Sequence, residues 1–579
     1  MEVIKTSTNA MTKKYYRYFP ALLCLWVFLF SCTSKTKSVE ELILVNQATV
    51  SKGKELFEQN CATCHDFNQD GIGPQLGGLT RIVSVDWLRS FIKNPTEMID
   101  GGDERSQAIF ARYQSYMPAF NYLGEEGIDA IIAYMHQYDA PEASAVTRDD
   151  SVANPIPEPI PLSDLVATIE LVTQVAPSSE EMPRTRIAKL DFEPTTGKLY
   201  IVDLRGKMFE IMDGKTITYM DMEALMPKFI NKPGLATGFG SFAFHPEFAK
   251  NGLLYTTHTE GPGSAQADFG YADSIKVTLQ WVVLEWKTEE PAGTPFQGES
   301  RELFRIDMVT GIHGMQEITF NPLAKPGDED YGLLYIGIGD GGSVGSGYDF
   351  IPYGPSQAWG SIFRIDPQGT SGRNGKYGIP NSNPFVGQAD KVEEIYVHGF
   401  RNPHRLTWTK RGQKLATNIG QGKVESLYML QPGEDYGWPV REGIWVIDSK
   451  VAINQVFTLP EDDANWGFTY PVAMYDHDEG NAISGGFEYW GSSIPGLYGK
   501  YLFGDIVRGR LFYIETDKLT YGATVPIYEW RVKIDGEIRS LEDLSGTKRV
   551  DLRLGRDAAG EIYIFTKPDG KVYKIVGLA

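Results

Sequence analysis

Three stretches between residues 47 and 139 carry apolar side chains at helical spacing. The first, 50–59, leads up to Cys61. In Val85–Lys93, Trp87, Leu88, Phe91 and Ile92 share one side; in 127–138, Ile128, Ile131, Ile132 and Met135 recur at i, i+3, i+4 and i+7. Beyond about residue 165 the texture changes to short runs rich in β-branched and aromatic residues, such as 199–202, 253–256, 333–336, 394–397, 501–503 and 561–565. Gly, Asp, Asn and Pro separate them, which predicts strands joined by tight turns. Between the two textures, 140–164 is dense in proline, including Pro155, Pro157, Pro159 and Pro161. Proline at that density continues neither a helix nor a central strand, so this segment reads as a semi-rigid linker.

The pattern therefore predicts a multidomain chain: an all-α domain over 47–139, a linker over 140–164 and an all-β domain over 165–579. Strands that recur over such a length favour a β-propeller, whose blades hold about four strands each. A chain of 579 residues is long enough for two cores, and 61 glycines with 12% aromatic residues suit a turn-rich β protein.

A formal charge of −20 leaves nothing to neutralise phosphates, so no nucleic-acid partner is expected. The first 31 residues read as an export leader, with Lys13, Lys14 and Arg17 ahead of an apolar run over 20–30. Ser31-Cys32 closes that run as a lipobox would, so Cys32 is the expected lipidation site and 32–46 a polar tether. An uncleaved signal anchor is the alternative. Either way the body is exported, and a periplasmic, membrane-anchored location is expected. Of the four cysteines, Cys24 and Cys32 lie in the leader region, leaving Cys61 and Cys64.

Those two belong to Cys61-Ala62-Thr63-Cys64-His65, the C-x-x-C-H spacing that attaches a c-type haem. Two thiols add to the haem vinyl groups and His65 is delivered to the iron; a zinc or thiol-redox site is the competing use of the cysteines. A second axial ligand would be a thioether, from Met98, Met117 or Met135. Met135 belongs to an apolar helix face, whereas Met117, in Tyr116-Met117-Pro118, lies in a loop that can deliver sulfur to iron, so Met117 is the expected ligand.

With Gly73-Pro74 between the haem motif and Met117, residues 47–138 resemble a class I cytochrome c. The resemblance implies that the Pro74 carbonyl orients His65 and that Tyr134 packs near the haem.

A second resemblance rests on motifs in a fixed order: Gly-Ser-Phe-Ala-Phe-His-Pro at 240–246, Gly-Asp-Gly-Gly at 339–342, Trp-Gly-Ser-Ile-Phe-Arg-Ile-Asp at 359–366, His-Gly-Phe-Arg-Asn-Pro at 398–403, Gly-Gln-Gly at 420–422, Tyr-Gly-Trp-Pro at 436–439 and Gly-Asp-Ile-Val-Arg-Gly-Arg at 504–510. This series resembles the glucose/sorbosone dehydrogenase family, which includes soluble quinoprotein glucose dehydrogenases and aldose sugar dehydrogenases. The resemblance implies a six-bladed β-propeller that uses pyrroloquinoline quinone (PQQ) and calcium. His313 stands where the family has its catalytic base and Asp340 where it has the carboxylate that orients that base. Arg401 and Asn402 match a quinone-contacting pair, Arg508 and Arg510 fall near further basic residues of that site, and Gly422 and Lys423 fall where backbone carbonyls hold calcium. Two positions depart from the family: 235–238 lacks a quinone-binding glutamine, and Tyr489-Trp490-Gly491 lacks a lysine.

The expectation is a haem-containing oxidoreductase whose propeller oxidises a sugar or alcohol with PQQ and passes electrons through the haem to an external acceptor. The alternative is a cytochrome joined to a non-catalytic binding propeller, as in Hedgehog-interacting-like propellers; a calcium-dependent lactonase would have no use for the haem.

Overall fold

The structure, a computed structural model, describes residues 43, 45–62, 64–113, 115–141, 148–234 and 236–579. The expected export leader, Cys32 and most of the expected tether lie outside the described residues, and no helix among the described residues is long and apolar enough to cross a membrane.

The first domain is helical: α1 Gln47–Asn60, α2 Leu79–Ile82, α3 Val85–Lys93, α4 Pro95–Asp100, α5 Glu104–Tyr113 and α6 Gly124–Met135. Local chemistry starts several of them. The side chains of Asn46, Ser84 and Asn94 accept from the first-turn amides of α1, α3 and α4, and Pro95 opens α4. Apolar periodicity finds α6 but not its start. The helix begins at Gly124, before its first apolar residue, with Glu125 and Glu126 in its first turn, where acidic side chains favour the helix dipole. Helices α1 and α6 cross at Gly53, where a Cβ would lie 1.8 Å from the Ala130 carbonyl oxygen. Any side chain there would force the helices apart. The crossing buries Phe57, Ile131, Tyr134 and Met135 beside Cys61.

The rest of the chain is a large all-β domain. Four four-stranded antiparallel sheets follow one another over 187–221, 239–308, 317–398 and 403–476. A nine-stranded sheet then takes in the strands of 487–539, Leu162–Gln174 and those of 552–578. Within it, Leu162–Gln174 runs parallel to Tyr528–Ile534 and antiparallel to Lys571–Leu578. The linker is not free along its length: Ser151–Val152 pairs with Ala452–Phe457 in a small separate sheet, and Leu162–Gln174 is already a strand.

Apolar clusters join neighbouring sheets. One packs 187–221 against 239–308, the next 239–308 against 317–398, then 317–398 against 403–476 and 403–476 against the strands of 487–514. Another returns from 563–572 to the first sheet through Tyr563, Phe565, Ile201 and Phe209. Strands buried on both faces explain why Leu279–Lys287 is mostly apolar and aromatic, and why even the threonines and His258 of Leu253–Glu260 are buried. The first strands of three sheets meet at Glu317, whose carboxylate takes Lys189 Nζ at 3.0 Å and also pairs with Arg405, with all three side chains at most 4% exposed.

Candidate functional site

The haem motif sits directly after α1. Cys61 caps that helix through its amide to the Phe57 carbonyl, and the amides of Cys64 and His65 both return to the Cys61 carbonyl at 3.0 Å. This tight turn brings both thiols and the imidazole together. His65 Nδ1 donates to the Pro74 carbonyl at 2.8 Å, which leaves Nε2 with its lone pair for a metal. Gly73 is required beside it, since a Cβ there would lie 2.4 Å from His65 Cε1. Phe67 stacks on Tyr138 at 3.7 Å, and Tyr134 shares a 2.7 Å hydroxyl contact with Tyr138. Met117 is half-buried against the α3–α6 core, Met98 lies on α4 and Met135 is buried in the α1–α6 cluster. Two unpaired cysteines, an oriented imidazole and a loop thioether fit a covalent haem.

His313 lies in the connector between the second and third sheets with φ 53°, a left-handed conformation unusual for a residue with a side chain. Its Nδ1 donates to Asp340 Oδ1 at 2.7 Å. The same oxygen accepts the Gly342 amide at 2.8 Å, and Oδ2 accepts Trp438 Nε1 at 3.1 Å. Three donors converge on one carboxylate. Burial opposes ionisation of Asp340, yet His313, Arg401 and the Gly342 amide hold it below the usual carboxylate range. An ionised Asp340 only accepts, so the proton sits on His313 Nδ1 and Nε2 carries the free lone pair. Burial and the nearby Arg401 push the His313 imidazole below its ordinary range, against the pull of Asp340. The ring is therefore neutral near pH 7 and competent as a base. Gly339 lets the two segments approach, since a Cβ there would lie 2.2 Å from the His313 carbonyl oxygen.

Arg401 and Asn402 occupy the next connector, where Asn418 Oδ1 accepts both their amides, at 3.1 and 2.9 Å. The Arg401 carbonyl accepts the Asp340 amide at 2.8 Å, which ties the two segments together. Its guanidinium donates to Gln421 Oε1 at 2.8 Å and lies 6.0 Å from the centre of the Trp438 ring. Trp438 and Gln421 thus join the site although sequence reasoning singled out neither. Trp438 was within reach, because its indole N–H sits in the Tyr-Gly-Trp-Pro motif.

The amides of Gly422, Lys423 and Val424 all donate to Glu442 Oε1, at 3.1, 2.7 and 2.7 Å. Glu442 Oε2 is buried with no partner among the described residues. An orphan carboxylate oxygen beside this loop suits calcium, a cation that takes oxygen ligands. Among the described residues no cluster of three or more His, Cys, Asp or Glu is arranged for a metal, so carbonyls would supply the remaining donors.

Arg508 and Arg510 are placed differently from the other expected residues. Arg508 holds the carbonyls of His477 and Asp478, at 2.7 and 2.6 Å. Arg510 is bracketed by Glu529, at 2.9 and 2.7 Å, and by Glu479. The buried cations of this face are others. Arg553 and Lys567 are 6% and 7% exposed, close to Arg549 and Arg186, with Asp551 as their shared anion. Arg553 Nε has no partner among the described residues. Burial and Arg553 push Lys567 well below the usual lysine range. A buried excess of positive charge with an orphan donor fits a polycarboxylate such as PQQ. Lys567 is thus a buried lysine of this cluster, whereas 489–491 holds none.

The two sites adjoin. Burial raises the Cys64 thiol above its ordinary range, and Arg549 and Arg401 lie near enough to oppose that rise. The carbonyl of Gln59, at the end of α1, accepts the Gly234 amide at 3.1 Å.

A family model described as glucose/sorbosone dehydrogenase matches residues 188–574, and one for cytochrome c matches 50–139. Among curated proteins, the HIPL2 protein of Arabidopsis thaliana is 28% identical over 316 residues, covering 48% of this chain and 43% of its own length. The human Hedgehog-interacting protein is 25% identical and covers 62% of this chain and 46% of its own length. The chain thus spans about half the length of these relatives. Among solved structures, the soluble aldose sugar dehydrogenase of Escherichia coli in its apo form aligns with a TM-score of 0.51 at 17% identity, covering 71% of this chain and 99% of that one. That similarity establishes a shared fold.

Proposed function

The chain belongs to the glucose/sorbosone dehydrogenase family, carries a cytochrome c domain ahead of it, and on that premise we propose that it oxidises a sugar or similar alcohol and exports the electrons through its haem. The observation that carries this reading is the His313–Asp340 pair lying one connector from Arg401, which itself lies near Cys64 of the haem motif.

His313 Nε2 takes the proton of the substrate hydroxyl, and Asp340 stabilises the imidazolium that forms. Arg401, Arg553 and Lys567 bind and orient a planar polycarboxylate, and Trp438 keeps Asp340 in place. Bound PQQ supplies a two-electron acceptor, and bound haem a one-electron relay. An external one-electron acceptor completes the turnover. Calcium beside Glu442, Gly422 and Lys423 is part of the proposal. So is a six-bladed propeller, supported by four four-stranded sheets, a nine-stranded sheet that holds four consecutive strands on one side and Leu162–Gln174 with three more on the other, beside one short extra strand, and clusters that link the sheets in a cycle. Export to the periplasm with a lipid on Cys32 is the location proposed.

The test is visible spectroscopy of the purified holo-cytochrome with PQQ and calcium while aldoses are titrated in. Haem reduction that depends on sugar and disappears in His313→Ala is the expected result. Absence of both PQQ binding and reduction would instead leave an electron carrier joined to a binding domain, the role open to relatives of the Hedgehog-interacting type.

A further inference from the structure

The surface on which the cytochrome domain sits is the face that holds His313. Three connectors of the β domain supply polar contacts to the cytochrome domain among the described residues. Lys276 pairs with Glu58 at 2.8 Å, Lys548 pairs with Asp100 at 2.5 Å, and Gly234 donates its amide to Gln59. Lys548 also lies 5.5 Å from the centre of the Tyr116 ring, next to Met117. Gly234 in turn touches the His313 connector, since a Cβ on it would lie 2.5 Å from the Gly311 carbonyl oxygen. With the domain seated, His313 is 8%, Asp340 1% and Arg401 3% exposed.

These contacts are weak in kind. Lys276 is 68% and Glu58 39% exposed, Lys548 33% and Asp100 46%. Exposed ion pairs contribute little and are screened by salt. The chain beyond the domain is held more firmly: Ser151–Val152 is hydrogen-bonded into a sheet with Ala452–Phe457, and Arg148 pairs with Asp448 and lies 4.3 Å from the centre of the Phe457 ring. The attachment survives if the domain leaves its seat, and a tethered domain returns at high effective concentration.

We propose that the cytochrome domain is a removable roof on the His313 site. Seated, it holds Cys64 of the haem motif near Arg401 and Arg549 and covers the His313 connector. Lifted, it admits a sugar-sized substrate and releases the product. This inference rests on the dehydrogenase reading, because it assigns the open state to substrate exchange and the seated state to electron transfer.

The test uses the full-length holoprotein. Small-angle scattering at about 20 mM and about 500 mM salt is expected to show a larger maximum dimension at high salt, where charges beyond a few ångströms are screened. The double variant Lys276→Glu/Lys548→Glu is expected to be open already at low salt and to reduce its haem roughly tenfold more slowly, two attractions having become repulsions. A dye that takes electrons from the quinone directly is expected to be reduced faster in that variant. Adding Glu58→Lys and Asp100→Lys restores the ion pairs with reversed polarity and is expected to restore both the compact form and haem reduction. Scattering that is indifferent to salt and to charge reversal, with unchanged rates, would overturn the proposal. Opening on cue without sugar-dependent haem reduction in any state would uphold the movement and overturn the dehydrogenase reading.

Discussion

Replacing Asp340 by asparagine tests the centre of the site. The native carboxylate accepts from three donors: His313 Nδ1, the Gly342 amide and Trp438 Nε1. A carboxamide has one acceptor oxygen and one donor group, so no orientation satisfies all three. If its oxygen keeps His313 and Gly342, its NH₂ faces the Trp438 N–H. If it turns over, its NH₂ faces His313 Nδ1, which must then surrender its proton to Nε2 and cease to act as a base. The loss of a charge-assisted hydrogen bond is worth ~1.5–3 kcal/mol. At ~1.4 kcal/mol per decade, kcat/KM is expected to fall roughly 10- to 150-fold. The pH profile should move as well. Asp340 pulls the His313 pKa upward against burial and Arg401, so its neutralisation lets that pKa fall further. The acid limb of activity, where His313 takes up a proton, therefore shifts to lower pH while the plateau drops. Stopped-flow haem reduction across pH 5–8, with thermal unfolding as a folding control, reads both. A variant with unchanged kcat/KM and an unchanged acid limb would refute the role of the pair.

Two further outcomes concern stability. Glu317→Gln removes the carboxylate from the buried Arg405 and leaves Lys189 with only Asp191 at 3.5 Å and the Ile318 carbonyl, and removing one partner of a buried ionic group costs ~3–5 kcal/mol. Denaturant titration of the β domain should register that loss, and a change under ~1 kcal/mol would contradict it. Acid should destabilise the β domain through histidines that are buried in their neutral form. Burial and Arg553 push His404 well below its ordinary range, burial lowers His398, and burial with Arg401 lowers His313. A depressed folded-state pKa means that protonation favours the unfolded chain, so stability is full above the ordinary histidine pKa of ~6.5 and declines as pH falls below it. Tm measured from pH 7 to 5 is expected to drop, and His404→Gln should flatten the slope.

Local signals in the sequence carried the haem domain further than its borders. Apolar spacing marked α3 at its observed bounds, and it located α6 although that helix begins before its first apolar residue. Helices α2, α4 and α5 went unread because they are short or lack a wide apolar face. The motif strands were visible as aromatic and β-branched runs, yet nothing local tells that Leu162–Gln174 pairs with strands hundreds of residues away. At the site, the spacing of His313, Asp340 and Arg401 was legible through family motifs. Lys567, Arg553 and Glu442 were not, because a buried charge looks like a surface charge until the chain is folded around it. Arg508 and Arg510 show the converse: a basic motif whose guanidinium groups are taken up by neighbouring carbonyls and carboxylates.

The placement of Leu162–Gln174 sets a timetable for assembly. Ala167 pairs with Leu578, which emerges from the ribosome roughly 400 residues later. At ~5–20 residues per second, that strand waits ~20–80 s for its partner. Over the same interval the cytochrome domain has all its own helices and can fold. The earliest strand of the nine-stranded sheet thus finds both its neighbours late, since its parallel partner Tyr528–Ile534 is also made more than 350 residues after it, and until then it is an open β edge, the kind that invites pairing between chains. A chaperone that guards one segment while the rest of the chain is made would do most good at residues 162–174.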